Sequence, residues 1–225
     1  MSRTLHAPND VLPRHQHAAG FAALVLRGRY AEAGDTGFHR VAPGDVLVHG
    51  GYESHIDRFG ARGAEVLVVP LSDAWRGPLL GRVEDADAIV RAAERNASLA
   101  ARLLARNART RVDAPDDWPD LLARTLRRDP ATRLDAWADA MGLHPGTVSR
   151  GFRQVFGVSP ASFRLVARAL RAVRALRLTR TPIGAIAHDC GFADQAHMTR
   201  AVRRLTRSSP ARLRAATSIS HEEEE

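Results

Sequence analysis

Ala138-Asp139-Ala140-Met141-Gly142-Leu143 and Ala187-His188-Asp189-Cys190-Gly191-Phe192 repeat one pattern at an offset of 49 residues. Each copy runs into a second amphipathic segment. In the first copy it covers about His144 to Phe156, with Val148, Phe152 and Val155 apolar; in the second, about Asp194 to Leu205, with Met198, Val202 and Leu205 apolar. Apolar residues at three- and four-residue steps mark the buried stripe of a helix. The shared alanine lets two helices approach closely, and the shared glycine ends the first helix in a left-handed turn. Ser159-Pro160, Thr181-Pro182 and Ser209-Pro210 each offer an N-cap hydroxyl followed by proline at the first helical position. The repeat therefore constrains the chain to two helix-turn-helix units, each with a second helix shaped for a DNA major groove.

The charge distribution agrees with that constraint. The 225 residues hold 33 arginines, no lysine and 25 acids, for a formal net charge of +8. Residues 1–140 hold 19 arginines and 19 acids, whereas residues 141–214 hold 14 arginines and only Asp189 and Asp194, a net +12. A neutral part followed by a strongly basic part is the electrostatic footprint of a nucleic-acid-binding domain joined to a second module. A lone cysteine, Cys190, excludes an intramolecular disulfide framework and reads as a buried thiol. There is no charged-then-apolar leader and no apolar run near 18 residues, so the expected compartment is the cytoplasm, with no membrane partner.

Residues 121–215 resemble the DNA-binding domain of the AraC/XylS family of bacterial transcription regulators. The second half matches through Ile183-Gly184-Ala185-Ile186-Ala187, Gly191-Phe192-Ala193-Asp194-Gln195, Thr199-Arg200, Ser209-Pro210 and Leu213-Arg214. The first half matches through Gly142, Val148, Arg150, Phe152, Gly157, Ser159-Pro160 and Phe163. Family phenylalanines become Met198 and Val202, a family glycine becomes Ser208, and the N-cap serine of the first recognition helix becomes His144, a change expected to weaken that helix start. The resemblance implies two units joined by a helix over about 161–178, which spans about 27 Å and lets one domain read two adjacent grooves.

The base-facing positions it implies are Gly146, Ser149 and Arg150 in the first unit, and Gln195, Ala196, Thr199 and Arg200 in the second. Arginine suits guanine, glutamine suits adenine, and threonine suits a base or a phosphate. Thr147, Arg153, His197, Arg203 and Arg171 complete the expected DNA-contacting set. Arg164, Arg168 and Arg171 share one helical face, and Arg203, Arg204 and Arg207 trail the second recognition helix. As charges they suit phosphates, with Arg168 also expected to brace the linking helix.

The N-terminal part reads differently. Phe21–Leu26, Asp45–Val48 and Glu65–Val69 are short β-rich runs broken by glycine, which suggests a small barrel or sandwich. Residues 84–109 lack glycine and proline and place Ile89, Val90, Ala93, Ala97, Ala100, Leu103 and Leu104 at helical spacing, with an interruption near Asn96. That stripe can pack back onto the strands or pair with a second copy in a homodimer. The segment 111–120, with two prolines and four acids, reads as a linker. The expected class is α+β: a small cupin-like β-barrel (1–80), a helical connector and linker (81–118), an all-α domain with two helix-turn-helix units (119–216) and an acidic tail (217–225).

Residues 1–75 resemble the cupin-type sensor domain common in the family. His15-x-His17 is followed by Gly28, and Gly44 precedes His55 by eleven residues, as in the cupin pattern. Phe21 or Ala22 stands where that pattern has a glutamate. Alternate residues on a strand face the same side, so His15, His17 and His55 are candidate ligands for a divalent transition metal such as Zn²⁺, Fe²⁺, Mn²⁺ or Ni²⁺. The same histidines also suit hydrogen bonds to an organic effector; His39 and His49 read as ordinary strand residues. The implied function is a non-enzymatic, sequence-specific regulator with double-stranded promoter DNA, a small-molecule effector and, for an activator, RNA polymerase as partners. Two other readings stay open here: a metal-dependent cupin enzyme fused to a DNA-binding domain, and an architectural DNA binder with no sensing role.

Overall fold

A computed structural model describes residues 2–72, 75, 77–113 and 117–222, and the chain divides into two units between Asp117 and Trp118. The first unit holds strands β1 (Ser2–His6), β2 (Val11–Gln16), β3 (Phe21–Gly34), β4 (Gly37–Val41), β5 (Asp45–His49), β6 (Ser54–Pro70) and β7 (Leu80–Arg82). Helices α1 (Ala86–Arg95) and α2 (Ala97–Asn107) and strand β8 (Arg109–Thr110) complete it. The strands form one antiparallel sheet in the order β1-β6-β3-β5-β7-β8, with β2 added to β6 and β4 to β3.

The organising pair is β3 with β6, which run antiparallel from Phe21↔Pro70 to Gly34↔His55. Their register shifts between Val25 and Arg27 and again between Gly28 and Tyr30. At this irregularity Gly28 has φ +71°, and a Cβ on it would lie 2.0 Å from the carbonyl oxygen of Gly63. No side chain fits there. The sequence run 21–26 is only the first half of a 14-residue strand, because the bulge and the polar Arg27 and Arg29 interrupt its apolar text.

That run is apolar on both faces because both faces are covered. Ala22 and Leu24 pack with Val46, Val48, Leu67 and Val69 against Ile89, Ala92, Ala93, Ala100 and Leu104 of α1 and α2. Ala23 and Val25 join Tyr30, Val41, Leu47, Phe59 and Val66 in a second cluster. The stripe on residues 84–109 thus packs onto the sheet of its own chain. Asn96 breaks it into two helices: its backbone N–H closes α1 on Ala92, while its side-chain oxygen accepts from Ser98 and Leu99 at the start of α2. The buried Asp45 accepts from Arg82 at 3.0 Å and Arg111 at 2.6 Å, tying the end of the unit to β5. Arg111 is therefore anchored in the first unit, and the expected linker is shorter than 111–120, of which residues 114–116 lie outside the described set.

The second unit is helical throughout: α3 (Trp118–Arg128), α4 (Leu134–Ala140), α5 (Pro145–Phe156), α6 (Pro160–Leu178), α7 (Ile183–Asp189), α8 (Gln195–Thr206) and α9 (Pro210–Glu222). The acidic tail falls within the end of α9 and beyond it, where side chains lie outside the described set. Phe152 and Phe156 of α5 stack at 4.5 Å between ring centroids, and both meet Phe163 of α6 edge-on at 5.3 and 5.4 Å. All three rings are fully buried. Among the described residues no helix is long and apolar enough to cross a membrane.

Candidate nucleic-acid interface and a buried histidine cluster

Both repeats fold as the sequence predicts. Helix α4 meets α5, and α7 meets α8, across turns in which Gly142 (φ +65°) and Gly191 (φ +76°) take the left-handed conformation. Ala138 and Ala187 are buried at the two corners. The helix starts agree in part. Ser159 accepts from the N–H of Ser162 and Ser209 from that of Arg212, each with proline at the first helical position.

Thr181-Pro182 differs. Helix α7 begins at Ile183, Pro182 occupies the N-cap position without a side-chain cap, and the carbonyl of Thr181 accepts from Arg214 Nη2 at 2.6 Å. That bond ties Thr181 to the last helix instead of to the first turn of α7. His144 also departs from expectation, since its Nδ1 accepts from the N–H of Gly146 at 3.1 Å and replaces the family serine as cap.

The outward faces of α5 and α8 carry the expected reading residues. Thr147, Ser149, Arg150 and Arg153 are exposed on α5, and Gln195, Arg200 and Arg203 on α8, while Val148, Phe152, Met198 and Val202 turn inward. Thr199 and His197 are half-buried, and the His197 ring packs edge-on against Phe192 at 5.2 Å. Helix α6 separates the two units over 19 residues, about 28 Å at 1.5 Å each. Of its three aligned arginines only Arg171 is exposed. Arg164 Nη1 donates to the carbonyl of Thr132 at 3.2 Å and Arg168 Nη2 to that of Pro130 at 2.7 Å, so both brace the loop between α3 and α4. Cys190 is buried, and burial pushes its thiol up, as an inert core thiol requires.

In the first unit His15, His17 and His55 offer ligand atoms within 4.8 Å of one another. Register explains this, because β2 pairs with β6 at His15↔His55. His15 Nδ1 bonds the carbonyl of Pro13 at 2.9 Å, which fixes the ring and turns Nε2 free. These residues fit a divalent metal. A second group, Glu32, His49 and His55, meets the same 4.8 Å limit and is wholly buried. Sequence reading missed Glu32, and it treated His49 as an ordinary strand residue.

This group comes from three strands, β3, β5 and β6. His49 Nε2 lies 3.4 Å from Glu32 Oε2, and the His49 and His55 rings are 4.5 Å apart. Asp57, paired with Glu32 across β3 and β6, places Oδ2 3.6 Å from His55 Nε2. Burial, with neighbouring imidazoles adding to it, lowers His49 to about 3 and His55 to about 2, so both rings are neutral. Burial raises the Glu32 carboxyl well above the usual range, with Asp57 opposite adding to it, and lifts Asp57 to about 6. Phe21, which with Ala22 stands where the cupin pattern has its glutamate, stacks on His49 at 4.4 Å between ring centroids.

The chain matches a helix-turn-helix domain family over residues 137–216. The arabinose operon regulatory proteins of Salmonella typhimurium and Escherichia coli are each 37% identical to it over 73 residues, 32% of this chain and 26% and 25% of theirs. The chain thus spans about a quarter of the length of these curated relatives. The DNA-binding domain of AdpA, solved with a target DNA, is 26% identical over 48% of this chain and 96% of that one, with a TM-score of 0.43. ToxT from Vibrio cholerae is 8% identical over 94% of this chain and 96% of its own, with a TM-score of 0.45. Over residues 137–216 the chain is thus similar to the helix-turn-helix region of these arabinose operon regulatory proteins.

Proposed function

We propose that the chain is a sequence-specific transcription regulator that reads promoter DNA with α5 and α8 and senses a small ligand in its cupin-like first unit. The observation that carries this reading is the duplication itself. Two helix-turn-helix units present Arg150 and Arg200 on exposed helix faces, within a segment of net charge +12. Arginines on such faces can donate bidentately to guanine, and Gln195 can do so to adenine. Exposed Arg153, Arg171 and Arg203 supply phosphate contacts that position the domain without reading sequence. The 28 Å helix between the units, with the offsets of the recognition helices, suits successive grooves about 34 Å apart.

The sensor reading is supported by the antiparallel sheet, the β2–β6 register and the polar cluster that they enclose. The residues of β6 from His55 to Val66 bring the cluster and the Gly28–Gly63 crossing onto one strand. The experiment is selection of genomic fragments by the full chain, followed by binding of the recovered sites to wild-type, Arg150→Ala and Arg200→Ala proteins. The reading expects discrete sites and loss of discrimination in both variants. Recovery of unrelated fragments with no shared sequence would refute sequence-specific regulation.

A further inference from the structure

We propose that Glu32, His49 and His55 bind a first-row divalent transition-metal ion inside the first unit, with Asp57 orienting the His55 ring and with His15 and His17 standing at the mouth of the site. The inference rests on the sensor reading above and deepens it, because it names the ligand class and moves the site inward from the His15-x-His17 pair.

The geometry favours the inner set. Two ligands of one tetrahedral ion with bonds of about 2.0–2.1 Å lie about 3.3 Å apart. Glu32 Oε2 and His49 Nε2 are 3.4 Å apart. Among the described residues, His55 Nδ1 and Glu32 Oε1 are buried without a hydrogen-bond partner. Asp57 approaches the other nitrogen of the His55 ring, Nε2, at 3.6 Å. A carboxylate on the far nitrogen of a ligating histidine fixes its tautomer and leaves the near nitrogen for the metal.

Space and charge point the same way. Gly34 stands opposite His55 in the register, and a Cβ there would lie 2.9 Å from His55 Cβ and 3.3 Å from Glu32 Oε1. The missing side chain leaves the cradle that these two groups share. Glu32 and Asp57 are 1% and 6% exposed and face each other across β3 and β6, so that ionising both requires a cation beside them. One dipositive ion balances both charges and supplies a partner for the open imidazole and carboxylate atoms.

The test uses the full chain, expressed without a histidine tag, stripped with a chelator and titrated with Co²⁺ and Zn²⁺. The expected result is one ion per chain after removal of free metal, a Co²⁺ ligand-field absorption without thiolate charge transfer, and a raised melting temperature. Glu32→Gln and His49→Ala should lose stoichiometric binding, Asp57→Asn should weaken it about 10- to 100-fold, and His15→Ala should retain one ion. Circular dichroism of the stripped variants identifies any that fail to fold, and the wild-type Co²⁺ spectrum stands independently of them. Absence of binding by the wild-type chain overturns the proposal and leaves a carboxyl pair sharing a proton. Retention of metal by folded Glu32→Gln and His49→Ala with loss in His15→Ala also overturns it, placing the ion at His15, His17 and His55. Promoter binding by the same preparations is read separately, so an empty site with intact DNA binding refutes this inference alone.

Discussion

The Nδ1 atom of His144 accepts a hydrogen bond from the backbone N–H of Gly146 at 3.1 Å, so an imidazole caps the helix that the sequence assigns to the first groove. Loss of an N-cap side chain costs about 0.5–2 kcal/mol. His144→Ala is expected to lower the stability of the second unit by about 1 kcal/mol, and His144→Ser to restore most of it. Urea unfolding followed by helical circular dichroism measures both, and equal stability of the alanine and wild-type proteins would show that Pro145 alone starts the helix.

Arg200 and Arg171 should separate reading from gripping. Arg200→Ala is expected to lose about 1–3 kcal/mol on a selected site and little on random DNA, with Arg150→Ala behaving alike at the other half of the site. Arg171→Ala should weaken selected and random DNA by similar factors and reduce the salt slope by about one. Anisotropy titrations at several salt concentrations distinguish the two patterns.

Left-handed glycines in the two units should differ in tolerance. Gly28→Ala drives a Cβ into the Gly63 carbonyl at 2.0 Å, whereas a Cβ on Gly142 meets nothing within 4 Å. Gly142→Ala should cost about 1–2 kcal/mol, the price of a left-handed alanine. Gly28→Ala should cost more than that and prevent folding of the first unit, leaving the helical second unit intact by limited proteolysis.

The uneven legibility of the two units has a physical cause. Helix-turn-helix units are built from neighbours in sequence, so Gly142, Gly191, Val148, Met198 and the Ser159-Pro160 start could be read from spacing alone. Arg164 could not, because its partner is a carbonyl at Thr132, 32 residues away. The histidine–carboxylate cluster depends wholly on strand register. His55 was legible through its spacing from Gly44, but Glu32 meets it only because β3 and β6 pair from Gly34↔His55, and His49 joins from a third strand. A one-residue slip would turn Glu32 to the other face, and nothing in the local text fixes that register. The bulge at Gly28 hid the second half of β3 for the same reason.

A fragment covering residues 118–216 should fold alone, since it holds its own aromatic core of Phe152, Phe156 and Phe163 and the whole basic excess. Its affinity for duplex DNA is expected to fall steeply as salt rises. A helical fragment that shows no salt-dependent binding would contradict this assignment.

The central claim is that α5 and α8 read two successive major grooves. Guanine-methylation interference on a duplex selected by the full chain from a random pool tests it most directly. The account predicts two interfering blocks in the major groove, centred about 10 base pairs apart on one face of the DNA, with one block lost in Arg150→Ala and the other in Arg200→Ala. A selected duplex with a single block, or blocks unaffected by either substitution, would contradict it.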